Sequence, residues 1–226
     1  AGFTGSGERD IIKAVCRLLK RADGTVEMLA ANGEIGQGLR TTFPKIVANE
    51  LGLPLDKVFY EHPDTARVPD SGPTVASRSL MIVGELLRRC AVRLKEEWRD
   101  GEEQVVEEHF REPDFMIPFY LDKFQGDAYP TYAWGVNAIE VEVDTYTGLT
   151  RILGAYGSFD VGTPMDEGIV LGQMEGGFLQ GIGYASMESM SYDSRGRIRS
   201  NSFSDYLIPT AADVPNLKCM LHVEKY

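Results

Sequence analysis

The residues of this chain that are grouped as if to do chemistry are glycines, glutamines and serines, in three clusters. The first is Gly33-Glu34-Ile35-Gly36-Gln37-Gly38. The second is Pro69-Asp70-Ser71-Gly72-Pro73-Thr74-Val75-Ala76-Ser77-Arg78-Ser79, and the third is Gly172-Gln173-Met174-Glu175-Gly176-Gly177-Phe178-Leu179-Gln180-Gly181-Ile182-Gly183. Hydroxyls, amides, a guanidinium and glycine-exposed N–H groups are donors of the kind that hold a polar or anionic ligand. Around the first cluster, residues 25–30 read as a strand. Residues 39–51 carry Phe43, Ile46, Val47 and Leu51 at helical spacing before Gly52 stops them. A strand, a glycine turn and a helix start bring unpaired N–H groups to one point, where the helix dipole favours an anion. The order is G-x-x-G-x-G, not the G-x-G-x-x-G of dinucleotide folds, and no acidic residue about 20 positions on awaits a ribose, which argues against an ordinary Rossmann site. Standing alone, the motif serves equally well as a tight turn that packs.

Other reactive residue types point nowhere in particular. His62, His109 and His222 have no mutual spacing for a metal, and no Ser–His–Asp or Cys–His arrangement follows from their positions. Glu175 and Glu188 are not assigned as acid or base, and Glu175 is expected to brace its loop. Asp64, Asp70 and Asp160, set among glycines and prolines, are expected to cap turns. The three cysteines, Cys16, Cys90 and Cys219, lack C-x-x-C spacing and read as small buried apolar residues in a reducing, cytoplasmic compartment. No catalytic residue and no metal ligand is assigned within the chain.

The elements that must position the clusters follow from periodicity. Two strands within residues 11–30 turn at Asp23-Gly24, a helix covers 38–51, and a short strand lies near Val58-Phe59-Tyr60. The proline-bearing loop 61–75 is ordered only if something packs on it. A long helix is expected over 76–99, with Ala76, Leu80, Val83, Leu86, Cys90 and Leu94 among the residues of one face. Residues 102–110 read as a charged, exposed segment and 113–130 as irregular. The second half opens with a strand over 132–143, turns at Thr147-Gly148 into a partner over 150–159, and continues as a helix over 164–189. Mixed strands and helices of this order give an α+β fold in two halves, 1–111 and 112–226, whose similar plan suggests a pseudo-repeat with a cofactor at their junction. The 226 residues suffice for one domain or two small ones. A net charge of −11 excludes nucleic acid as a partner, and no apolar run approaches the roughly 20 residues of a membrane span.

Taken in order, the three clusters resemble the molybdenum-cofactor-binding segments of the molybdenum hydroxylases, the xanthine dehydrogenase and aldehyde oxidase family. Phe159-Asp160-Val161-Gly162 and Tyr206-Leu207-Ile208-Pro209-Thr210-Ala211 look like further landmarks of that family's large subunit. The resemblance implies that Gly36, Gln37 and Gly38 contact the molybdopterin end of the cofactor, near the metal. It implies that Ser77, Arg78 and Ser79 hold the pterin phosphate or a pyrophosphate, that Ala76 keeps space beside the metal, and that Gln173 is a further contact. An N-cap serine with a solvent arginine is the bland alternative for the second cluster. Adjacent Gly176 and Gly177 inside a helix cost about 1 kcal/mol each against alanine, so close approach by cofactor or another helix is their expected reason.

The same resemblance implies molybdopterin, as the cytosine dinucleotide, with molybdenum. It also implies an N-heterocycle or aldehyde as substrate, and iron–sulfur and FAD centres on partner subunits or domains. Family members extend beyond both ends of this sequence, with a catalytic glutamate in a downstream Gly-x-Gly-Glu segment. The chain therefore reads as a C-terminal portion of a large subunit, a fragment or split subunit inactive by itself, whose first partner is the remainder of that subunit. Two other readings stay open: a non-catalytic assembly or interaction module with the same fold, and part of an aromatic thioester reductase.

Overall fold

The computed structural model describes residues 14–222 except positions 112, 121, 128 and 130. The chain divides between Tyr132 and Ala133 into two compact units.

In the first unit, β1 (Val15–Lys20) and β2 (Val26–Leu29) form the expected hairpin, with Arg17 opposite Leu29 and Lys20 opposite Val26. Its turn is fixed by Gly24 at φ 81° and by Asp23, whose carboxylate accepts the Thr25 N–H at 2.9 Å. Helix α1 (Leu39–Leu51) then crosses back to β3 (Val58–Phe59), which pairs in parallel with β2. A parallel neighbour cannot be reached by a tight turn, and α1 is the crossover that reaches it. Strand β4 (Gln104–His109) closes the other edge, giving the order β3-β2-β1-β4. Cys16, Leu18 and Met28 of the sheet pack with Phe43 and Val47 of α1 and with Leu87 and Cys90 of α2 (Gly84–Glu96) in one core. Lys20 continues the inward row of β1; its ammonium lies over the Trp98 ring and donates to the carbonyls of Arg99 (2.6 Å) and Glu102 (2.7 Å). The proline-bearing loop is ordered by such ties as well: Arg67 donates to the buried Glu27 at 2.8 Å, and the Val15 N–H donates to Asp70 O at 2.9 Å.

Two expectations for this unit fail. The helix read over 76–99 starts only at Ser79, with a π-helical turn (Ser79–Val83) that runs into α2 and ends at Glu96. Ala76 (φ 46°) and Ser77 (φ 61°) are left-handed and exposed, so Ala76 stands outside the helix and off its buried face. The charged stretch 102–110 is not merely exposed: it is the edge strand β4, with Val106 buried and Arg93 paired to Glu108 at 2.6 Å. Charge along an edge strand discourages further pairing.

The second unit repeats the plan. Strands β5 (Trp134–Val143) and β6 (Thr150–Asp160) form an antiparallel hairpin, interrupted by a bulge that leaves Leu153 of β6 unpaired. Helix α3 (Glu167–Ser186) crosses over to β7 (Leu217–Leu221), parallel to β6, in the order β5-β6-β7. Phe178 and Ile182 of α3 pack on Ala155 of β6. The helix starts later than the expected 164 because Asp166 caps it, its carboxylate accepting the Ile169 N–H at 3.0 Å, and it ends at Ser186, short of the expected 189. Hairpin, helix and a strand parallel to the second hairpin strand thus occur in both units, a repeat visible in topology where the sequences show none. Among the described residues no helix is long and apolar enough to cross a membrane.

Candidate functional site

The first glycine cluster connects β2 to α1. Gly38, at φ 89°, is the residue before the helix and, having no side chain, cannot cap it. Glu34 supplies one instead. Its Oε1 accepts the N–H groups of Gly36 (2.8 Å) and Gly38 (3.0 Å), and its Oε2 accepts that of Arg40 (2.9 Å). Burial alone would raise the carboxyl pKa; the N–H groups of Arg40, Gly38, Gly36 and Gln37 outweigh it and hold the group below the usual carboxylate value. The anion expected at this helix start is therefore the chain's own carboxylate, and the α1 N-terminus is not an open phosphate site. Gln37, expected to stand clear, folds back on its own loop: its amide donates to Gly33 O (2.7 Å) and accepts the Ile35 N–H (2.6 Å). Gly36, at φ 102°, has nothing among the described residues within 4 Å of where a Cβ would stand, so the space beside it is open although its N–H is taken by Glu34.

The second cluster leads into α2. Arg78 is fully buried, and its Nη1 donates to the carbonyls of Ser71 (3.0 Å) and Pro73 (3.1 Å), drawing the loop over itself. Above this clamp Ala76 and Ser77 are exposed in left-handed backbone. For residues with a Cβ that conformation costs about 1–2 kcal/mol each, so the surrounding bonds must enforce it. Ser79 is buried at the helix start, where its hydroxyl accepts from Asn32 Nδ2 at 3.0 Å. Neither serine caps the helix; the residue before it is Arg78, with no side-chain cap bond.

The two clusters are joined at their bases. The Ala31 N–H donates to Ser71 Oγ (2.8 Å), which donates to Val15 O (2.8 Å), and the Gly33 N–H donates to Thr74 Oγ1 (3.0 Å). The Tyr60 phenol donates to Asn32 O at 2.6 Å, and its burial pushes its pKa up to about 12. The first unit thus brings the loop bearing Gly36, Gln37 and Gly38 against the loop bearing Ala76, Ser77, Arg78 and Ser79. Asn32, Ser71 and Thr74, which make the join, have no role in the sequence reading. Their signal, small hydrogen-bonding residues beside Gly33 and Gly72, has no periodicity to reveal it.

In the second unit Gln173 is exposed on α3. Gly172, Gly176, Gly177 and Gly181 of the same helix have nothing within 4 Å of a hypothetical Cβ, so no described part of the chain approaches them closely. Gly183 differs, because a Cβ there would meet Pro209 at 2.5 Å and Glu188 at 2.6 Å. Glu188 accepts the Tyr206 hydroxyl at 2.5 Å and anchors the segment around Pro209; Glu175, expected to brace its loop, lies exposed within the helix with no hydrogen bond to a loop among the described residues. Asp64, Asp70 and Asp160 cap turns as expected, each accepting the N–H two residues on at 2.9 Å. Cys16 and Cys90 are buried side by side in the first core, whereas Cys219 is only half-buried.

Comparison with known proteins gives this arrangement its context. The chain is 30% identical over 213 residues to aldehyde oxidase 4 of Cavia porcellus and 32% identical over 213 residues to xanthine dehydrogenase/oxidase of Gallus gallus. Each alignment covers 85% of this chain but only 16% of the relative, so the chain spans a small part of their length. The fold is that of quinoline 2-oxidoreductase from Pseudomonas putida 86, with a TM-score of 0.78 at 22% identity over 99% of this chain and 34% of that one. Aldehyde oxidoreductase from Desulfovibrio gigas superposes equally, with a TM-score of 0.78 at 22% identity over 99% of this chain and 26% of that one. The family model described as the molybdopterin cofactor-binding domain matches residues 2–215, nearly the whole sequence, and the chain belongs to that family.

Proposed function

We propose that this chain is a cofactor-holding part of a molybdenum-dependent hydroxylase or dehydrogenase acting on an N-heterocycle or an aldehyde. In this reading the chain comprises two cofactor-binding subdomains, read from sequence as 1–111 and 112–226, whereas the compact units divide between Tyr132 and Ala133. The cofactor is molybdopterin, in its cytosine dinucleotide form, and when bound it supplies the two-electron chemistry. The remainder of the large subunit, with iron–sulfur and flavin centres on partners, completes a cytoplasmic enzyme of which this chain alone is inactive.

The residues fit such a group in kind. Pterins and nucleotides are planar, polar and rich in hydrogen-bonding atoms, and the first unit offers hydroxyl, amide and open glycine backbone to them. Gly36, Gln37 and Gly38 provide backbone approach and an amide that can exchange its loop partners for the ligand. Ala76 keeps bulk away, and the Ser77 hydroxyl donates to a phosphate oxygen. Ser79 orients the start of α2, and Arg78, buried beneath the loop, holds Ser77 outward instead of meeting the phosphate itself. Gln173, in the second unit, is assigned a contact on its sequence match. The carrying observation is Ser77: an exposed hydroxyl in costly left-handed backbone, held there by a fully buried arginine. A fold that needed this loop only for packing gains nothing by the strain.

One observation favours the assembly-module alternative. Glu34 and Gln37 satisfy the first loop from within, as a loop that binds nothing would be satisfied. Ser77→Ala in the full-length protein separates the two. The binding reading expects loss of one charge-assisted hydrogen bond, about 1.5–3 kcal/mol, hence a roughly ten- to hundredfold weaker hold on the cofactor, with an unchanged melting temperature of the cofactor-free protein. Unchanged molybdenum content after prolonged dilution would remove Ser77 from the site.

A further inference from the structure

We propose that Asn32, outside all three clusters, is a positioning residue that holds the loop of residues 33–38 in register with the loop of residues 71–79. The proposal rests on the cofactor-binding reading above. Asn32 is fully buried just after β2. Its Nδ2 donates to Ser79 Oγ (3.0 Å) and, at longer range, to Thr74 Oγ1 (3.4 Å). Its carbonyl accepts the phenol of Tyr60, the residue after β3, at 2.6 Å. The next N–H along the chain, that of Gly33, goes to the same Thr74 hydroxyl at 3.0 Å. One side chain and the Asn32–Gly33 peptide that follows it thus tie together the end of β2, the end of β3 and the loop that precedes α2.

The chemistry of the position says what the tie is for. Asn32 Oδ1 is buried with no hydrogen-bond partner among the described residues. A leucine of similar size would bring no unpaired acceptor into the interior but would leave the buried Ser79 hydroxyl without its Asn32 donor, so the orphaned Oδ1 is a cost carried for that connection. What asparagine adds is the connection to Thr74 and Ser79. Those two residues bracket Ala76 and Ser77, the strained, exposed pair, while on the other side of Asn32 the glycine loop begins. Serine and threonine hydroxyls donate as well as accept, so the connection holds whichever way the amide is turned. A rigid, multi-ring cofactor senses the spacing between its two supporting loops, and a displacement of about 1 Å is enough to lose contact with one of them.

The test uses the full-length protein that contains this chain, with Asn32→Leu, Asn32→Asp, Thr74→Val and, as a stability control at the far end of α2, Leu94→Ala. Molybdenum and released pterin per polypeptide are measured on protein made with the cofactor, and melting temperature on protein made in cells that cannot synthesise it. Asn32→Leu and Thr74→Val are expected to lose about tenfold or more in cofactor retention, the range for losing one or two hydrogen bonds to a site. Leu94→Ala should melt at least as early without the cofactor and still keep it. Asn32→Asp, which can still accept from both hydroxyls, should recover most of the loss. Wild-type retention in both Asn32→Leu and Thr74→Val overturns the proposal, as does a Leu94→Ala protein that sheds cofactor equally. A wild-type protein devoid of pterin overturns the functional reading, and this proposal with it.

Discussion

The carboxylate of Glu34 accepts the backbone N–H of Arg40 at 2.9 Å, closing the first turn of α1 from six residues upstream. With the bonds to Gly36 and Gly38, one side chain satisfies three backbone donors at the helix start and folds the glycine loop around itself. The loop's shape is therefore set before any ligand arrives.

Glu34→Gln is expected to lower stability by about 1 kcal/mol near neutral pH, the usual worth of a helix N-terminal acceptor with its dipole contribution. The native carboxyl pKa lies below the ordinary value of 4.5, so its contribution is fully present above that value and is lost as pH falls through the lower, native one. Melting curves of wild type and Glu34→Gln should accordingly converge in strong acid. A gap that stays constant from neutral pH into strong acid would show that the charge of Glu34 contributes nothing.

Backbone strain in the second loop makes a separate claim. Glycine at an ordinary helix or strand position destabilises by about 0.5–1 kcal/mol relative to alanine. At Ala76, with φ 46°, relief of the left-handed cost offsets that loss, so Ala76→Gly should leave the melting temperature unchanged or raise it. A clear decrease would mean that Ala76 is not held in the left-handed region in solution.

Helix α3 offers the reverse experiment. Gly176 lies in regular helix with nothing among the described residues near a hypothetical Cβ, so Gly176→Ala should stabilise the protein by about 1 kcal/mol. If the open face serves cofactor approach, pterin content should fall in the same variant. Greater stability with full pterin content would leave the glycine without a role in binding.

The two hairpins, helix α1 and the short β3 are legible in the sequence because each has a clear period or a marked turn, as at Asp23-Gly24 and Thr147-Gly148, whereas β7 (Leu217–Leu221) is not read from it. The start of α2 is not. Ala76 and Ser77 fit the helical period, but Arg78 turns back to clamp the carbonyls of Ser71 and Pro73 in its own loop, a contact that periodicity does not register. Strand β4 is hidden for a related reason, since its charged residues are accommodated by Arg17 and Arg93 on distant elements. The three clusters mark where the candidate site lies but not how it is wired. Glu34 stands inside the first cluster, yet its capping role depends on a chain reversal that spacing does not encode. Asn32 has no local signature at all.

The central claim is that this chain holds a molybdenum cofactor within a larger enzyme. The most direct measurement is the molybdenum and pterin content of the full-length protein, purified from cells able to make the cofactor and compared with its Ser77→Ala, Asn32→Leu double variant. The account predicts equimolar molybdenum and pterin in the wild type and strong depletion of both in the variant. A well-folded wild-type protein with neither would contradict it and leave the assembly-module reading in its place.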